Sequence, residues 1–226
     1  MLLEMTRPVQ GGLRQERKLD VTSNHLANSD TAGFKKDILS FDRLFRAQLN
    51  TDLTQGDIRK TDNKLDVALS DEGFFKVETP QGIRYTRNGS FSLNADGVLV
   101  TRNGDPVMGQ NGPVTISGEN VEIDASGEIR VDGGVVDSLA VVTFDALENL
   151  VKDGASQFVY RGNLSDEKTP ATVSVVQGAL EGSTVSVVNE MVSMIEEHRM
   201  YETYQKMMLT FDELDNKAIN DVGKLQ

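Results

Sequence analysis

The chain has 226 residues, 38% of them hydrophobic, a formal net charge of −12 and no cysteine. Missing thiols exclude disulfides, cysteine nucleophiles and cysteine-based zinc sites, and the acidic balance opposes binding to a phosphate backbone. No run approaches the roughly 18 apolar residues of a membrane-spanning helix, so direct membrane insertion is not expected.

The first segment reads as a helix. Leu2, Met5, Val9, Gly12, Glu16, Leu19, Ser23 and Leu26 follow alternating steps of three and four. Pro8, Gly11 and Gly12 weaken its start, which makes residues 13–28 the firmest part and predicts fraying before Leu13 in an isolated chain. The opening MLLEMTRPVQGGLRQER lacks the basic start, continuous apolar stretch and small-residue cleavage site of a Sec-type leader, so any export is expected to use another route. Residues 1–60 carry 10 Lys and Arg against 8 Asp and Glu, dispersed rather than clustered, and the remainder carries 13 against 27. No nucleic-acid partner is expected.

Residues 29–64 have few periodic apolar positions and read as an extended connector. Residues 65–178 then change texture to short apolar runs separated by turn dipeptides, the pattern of a β-domain. Phe74, Phe75 and Val77 precede the Pro80-Gln81-Gly82 turn, and residues 83–87 lead to Asn88-Gly89. Residues 91–93 lead through Asn94-Ala95-Asp96-Gly97 to Val98, Leu99 and Val100. Further strands are predicted at 114–116, 121–123, 129–131 and 135–144. Leu93-Asn94-Ala95-Asp96-Gly97 is echoed by Ile123-Asp124-Ala125-Ser126-Gly127, which is best explained as two hairpins sharing one turn chemistry. Both stretches lack the 12-residue ligand ladder of a calcium loop.

The last segment, 179–226, is a long helix: residues 183–222 contain neither Gly nor Pro. Its stripe runs Val188, Met191, Ile195, His198, Tyr201, Tyr204, Met208, Phe211, Leu214, Ala218 and Val222. At 1.5 Å per residue such a helix reaches roughly 50 to 60 Å. Terminal helices flanking a β-domain can pack antiparallel on each other, but the N-terminal stripe covers only part of the C-terminal one. The surplus points to assembly with other chains, and contacts of that kind that do not close give tubes or filaments. The pattern alone also allows the long helix to break and wrap the β-domain.

No catalytic constellation is found. The two histidines, His25 and His198, lie near opposite ends of the chain, and His198 with Glu202 lacks the second histidine of a His-Glu-x-x-His site. Gly-x-Gly-x-x-Gly and Walker patterns are absent, and aromatic residues are 6% with no tryptophan, offering little for stacking sugars or bases. Neither a cofactor nor a metal is expected, and the chain is read as a non-enzyme.

Four stretches carry a resemblance. Thr22-Ser23-Asn24-His25-Leu26-Ala27-Asn28-Ser29-Asp30-Thr31-Ala32-Gly33-Phe34-Lys35 resembles the N-terminal motif of the flagellar basal-body rod and hook protein family. Leu65-Asp66-Val67-Ala68-Leu69-Ser70-Asp71-Glu72-Gly73-Phe74-Phe75-Lys76-Val77 and Tyr85-Thr86-Arg87-Asn88-Gly89-Ser90-Phe91 resemble the start of its β-domain, and Gln177-Gly178-Ala179-Leu180-Glu181-Gly182-Ser183 its C-terminal block. Within that family the short length and small β-domain are most similar to the F-type proximal rod members. His25 stands where Asn is usual, and Pro8 interrupts the first helix.

The fold expected is α+β, an all-β domain inserted between N- and C-terminal helices that pair as an antiparallel coiled coil, with residues 1–28 and 179–226 as assembly helices. The resemblance implies a structural rod subunit in the periplasm-spanning drive shaft. It implies export by the flagellar type III apparatus without a cleaved leader, and other rod subunits as partners through the terminal helices. A distal rod or hook subunit is the alternative, with a secreted β-rich binding protein or hydrolase behind it. Leu19, Leu26, Ile195, Tyr201, Met208 and Phe211 are the expected packing residues of the assembly interface, and Asn24, Asn28, Gly33 and Phe34 those of the junction between helix and connector. Asn28 can tolerate a left-handed backbone there, and Gly33 allows a further reversal.

Overall fold

The computed structural model describes residues 2–42, 46–154 and 156–223. Helix α1 (Leu2–Ala27) is followed by β1 (Asp37–Phe41), β2 (Ala47–Thr51), β3 (Ile58–Lys60), β4 (Val67–Leu69), β5 (Phe74–Thr79) and β6 (Gly82–Thr86). Then come β7 (Ser92–Leu93), β8 (Leu99–Val100), β9 (Val121–Ile123), β10 (Glu128–Val131), β11 (Gly134–Ser138) and β12 (Val141–Phe144). The chain continues with β13 (Leu150–Lys152), β14 (Gln157–Tyr160), β15 (Glu167–Lys168), β16 (Val175–Gln177) and β17 (Ala179–Glu181), and ends in α2 (Val187–Gly223). Two terminal helices in contact flank a mostly β region, the α+β arrangement expected.

The chain divides into two compact units interleaved in sequence. The helical unit combines Met1–Ala27, Asp37–Leu49 and Ser186–Gln226; the β unit combines Asn28–Lys36 and Asn50–Val185. No described helix is long and apolar enough to cross a membrane.

The β unit is organised by side-chain alternation along β5. Successive strand residues point to opposite faces, so Phe75 and Val77 enter one core while Phe74 enters another. Its neighbour β12 divides the same way, Val141 to the first core and Val142 to the second. These two strands are adjacent interior strands of a six-stranded antiparallel sheet of order β13-β14-β6-β5-β12-β15. The first core gathers Val67, Phe91, Leu99, Val107, Ile129 and Leu139, with Phe91 edge-on to Phe75 at 5.3 Å. The second is aromatic: Phe144 stacks on Tyr160 at 4.1 Å and meets Tyr85 edge-on at 4.8 Å.

The echoed turns have one geometry. Asn94 Oδ1 accepts the amides of Asp96 and Val98 at 3.0 and 2.9 Å, and Asp124 Oδ1 accepts those of Ser126 and Glu128 at 2.8 and 3.0 Å. Each is followed by a glycine at positive φ, Gly97 at +76° and Gly127 at +84°, and each joins two antiparallel strands. The single strand predicted over 135–144 is two, because the amides of Leu139 and Ala140 turn to the carbonyls of Gly127 and Met108. Residues 114–116 form no named strand, although Val114 and Ile116 are buried in the first core.

Phe75 is fully buried, so Phe75→Ala is expected to cost about 3–5 kcal/mol. The urea midpoint of the β unit should fall with its slope unchanged; a loss below about 1 kcal/mol would mean that this strand does not organise the sheet.

Candidate assembly surfaces

In the helical unit the two helices run antiparallel. A Cβ added at Gly11 would stand 2.3 Å from Tyr204 Cε1, Thr22 Oγ1 donates to Glu197 Oε2 at 2.9 Å, and His25 Nδ1 lies 3.2 Å from Glu190 Oε2. Partner numbers on α2 thus fall as those on α1 rise. α1 continues without interruption through Pro8, Gly11 and Gly12. Gly11 is where the Tyr204 ring crosses the helix, so the residue that weakens intrinsic helix propensity is the one that admits the partner side chain.

Besides Ser193, the less exposed described positions of α2 form one row, Glu190, Met194, Glu197, Tyr201, Tyr204, Met208, Phe211 and Asp215, spaced alternately by four and three. That is the heptad period of a coiled-coil seam. Tyr201, Met208 and Phe211 are half-buried in this row, and Leu19 and Leu26 are half-buried on α1. Ile195 is not in the row: it is 54% exposed and shares the outward face with Val188, Met191 and Val192, all exposed. The stripe positions Leu2, Met5, Ala218 and Val222 lie outside the residues whose side chains are described.

The seam is unusually polar. Gln15, Thr22 and His25 are buried on α1. Burial raises Glu197 above the usual carboxyl range; the Thr22 hydroxyl and Lys18 oppose the shift, and Glu190 adds to it. Among the described residues no group of three or more His, Asp or Glu could hold a metal ion. His198 and Glu202 form an exposed i,i+4 contact at 3.4 Å.

The junction residues divide between the units. Asn24 is exposed on α1. Beyond the helix, the Thr31 amide donates to Asn28 O at 3.1 Å, and the left-handed backbone falls on Gly33, at φ +66°, rather than on Asn28. A Cβ on Gly33 would lie 2.4 Å from Asn88 N, so two backbones touch here. Phe34 is fully buried with the Lys152 ammonium 4.0 Å from its ring centroid.

Next to Phe34 sits a clasp of buried charges. Lys35 Nζ donates to Glu181 Oε1 at 2.6 Å with both side chains fully buried, and it also donates to Thr54 O. Glu181 Oε1 accepts the Gly56 amide at 2.8 Å, Arg87 Nη1 lies 3.4 Å from Glu181 Oε2, and the Glu181 carbonyl accepts the Gly33 amide at 2.8 Å. Burial pulls both Lys35 and Arg87 below their usual range, and the Glu181 carboxylate pulls each back.

Three family models match the chain: "Flagella basal body rod protein" over residues 11–35, "Flagellar hook protein FlgE/F/G D1 domain" over 68–131, and "Flagellar basal body rod FlgEFG protein C-terminal" over 176–221. The flagellar basal-body rod protein FlgF of Caulobacter vibrioides is 33% identical over 92% of this chain and 93% of its own length. FlgF of Mesorhizobium japonicum is 29% identical over 92% of each, and FlgG of Buchnera aphidicola subsp. Acyrthosiphon pisum is 32% identical over 90% and 93%. The chain belongs to the flagellar basal-body rod protein family.

It is a structural rod subunit, matched over most of its length by F-type members. In this rod protein the clasp takes one residue from each matched stretch: Lys35 closes the first, Arg87 lies in the second and Glu181 in the third. Reading the sequence missed it, since nothing in the spacing of residues 35, 87 and 181 pairs them. The available signal was that each stretch brings a charge next to residues expected to be buried.

Glu181→Ala should therefore cost about 3–5 kcal/mol by leaving Lys35 and Arg87 buried together without a carboxylate; a loss under about 1 kcal/mol in denaturant unfolding would deny the clasp its role. Glu197 makes the opposite prediction. Its folded carboxyl is raised, so the folded state binds the proton more tightly and stability falls as pH rises through that range. Glu197→Gln should raise the thermal midpoint of helical circular dichroism at neutral pH, and the gain should vanish in acid below the unfolded glutamate range. A destabilised variant at neutral pH would contradict this.

Proposed function

We propose that this rod subunit is of the proximal, F-type kind and that it polymerises through its terminal helices into the drive shaft of the flagellar motor, within the periplasm and after export by the flagellar type III apparatus. The observation that carries the reading is on α2. One face is spent on α1, while Val187, Val188, Met191, Val192 and Ile195 remain exposed on successive turns at its start, and Met200, Met207 and Leu214 recur at heptad spacing beyond. An apolar face of this kind marks an interaction surface. A shaft that transmits torque needs many such contacts, each contributing roughly 25 cal/mol per Å² of apolar area removed from water.

The Ile195 side of α2 is read as the surface between subunits. Tyr201, Met208 and Phe211, with Leu19 and Leu26, hold the pair that presents it. The buried Gly33 and Phe34 fix the start of the connector, and Asn24 and Asn28 border it. The structural character of the family supports a role without catalysis, and FlgG relatives of similar identity keep a distal rod position as the alternative. Locating the tagged subunit in purified basal bodies by electron microscopy decides between these positions.

Met191→Asp with Ile195→Asp tests the surface. Unfolding of the purified monomer should change by no more than about 0.5 kcal/mol per substitution, since both side chains face solvent there. Incorporation into basal bodies and swimming should be lost. Normal motility with the double variant would remove this face from the interface.

A further inference from the structure

We propose that His25 is a pH-operated latch that holds the start of β1 to the helix pair when neutral and releases it, without parting the helices, when protonated. The ring is buried, 5% exposed, in the last turn of α1 and touches two other elements. On one side Nε2 accepts the backbone amide of Asp37, the first residue of β1, at 3.0 Å. On the other, Nδ1 lies 3.2 Å from Glu190 Oε2 on α2. An imidazole nitrogen that accepts an N–H carries no proton of its own, so the proton of the neutral ring is on Nδ1 and is donated to Glu190.

Adding a second proton acts differently on the two contacts. At Nε2 it sets N–H against the Asp37 N–H, and that hydrogen bond is lost. At Nδ1 the bond to Glu190 becomes charge-assisted and strengthens. Charged groups facing the ring include Glu190 and Glu197 from α2, and the Asp37 residue of β1 meets it through its amide; Glu197 is close enough for its own ionisation to respond to His25. The end of α1 adds the negative pole of its helix dipole. The helix pair and the first strand of the connector are therefore coupled through one ring nitrogen. Neither the family assignment nor the role proposed above contains this coupling.

Amide exchange and nitrogen–proton spectra of the full chain, recorded from about pH 8 to about pH 5, test the latch. The Asp37 amide should lose protection by about tenfold as the His25 ring titrates, while amides of α1 and α2 around Thr22 and Glu197 keep theirs. Two variants separate the ring nitrogens. The carboxamide introduced by His25→Gln places a carbonyl near the Nε2 position and should keep Asp37 protected at both ends of the range; the shorter one introduced by His25→Asn reaches only the Nδ1 position and should leave it unprotected at both. The proposal is overturned if His25 stays neutral throughout the range, if it titrates while Asp37 protection is unchanged, or if the helix amides open together with Asp37.

Discussion

The β unit depends on one carboxylate kept away from water. Glu181 is fully buried and is the only negative side chain in direct contact with Lys35 and Arg87 among the described ion pairs. Around it meet the segment that follows α1, the stretch at Gly56, the end of β6 and the strand that precedes α2. Removing a charge from water costs several kcal/mol unless it is paired and hydrogen-bonded, so Glu181 tolerates burial only while all these segments are in place. The constraint works in both directions: each segment is fixed because the others need it there. The chain beside it is held accordingly, with the Thr184 amide on Phe34 O and the Lys36 amide on Thr184 Oγ1.

The helical unit is built on the reverse economy. Its seam has a coiled-coil period but buries Gln15 and sets Thr22 against Glu197 and His25 against Glu190, groups that gain little by burial. The outward face of α2 carries Val188, Met191, Val192 and Ile195. A helix pair meant to be stable alone would be expected the other way round. Polar pairs at seam positions fix register at a cost in stability, and here they set which part of α2 lies against α1.

How much of this was legible follows from the range of each interaction. The Asn94 and Asp124 turns were readable because an Asx side chain bonds amides two and four residues on. Phe74 and Phe75 announced a buried strand, though not that each phenyl serves a different core. The phase of α2 was harder. A stripe chosen for apolarity runs through Val188, Met191, Ile195 and His198, while the row nearest α1 runs through Glu190, Met194 and Glu197 and joins the stripe only at Tyr201. Seam carboxylates carry no apolar signal, so the pattern favoured the outward face. The clasp was illegible for another reason: Lys35 and Glu181 are 146 positions apart, and no local rule pairs them.

The two charge centres also differ in what they permit. At Glu181 the partners are a lysine and an arginine, whose charge persists through the physiological range unless burial overrides it, and the Gly56 amide is directed at the same carboxylate. Such a site has one arrangement. At His25 the partner is the one side chain type whose charge ordinarily changes near neutrality, and its two nitrogens serve different elements. Rigidity and adjustability are thus assigned to different units by the choice of cation. The β unit is locked around Glu181, and the helical unit keeps a contact that a single proton can change without disturbing its seam.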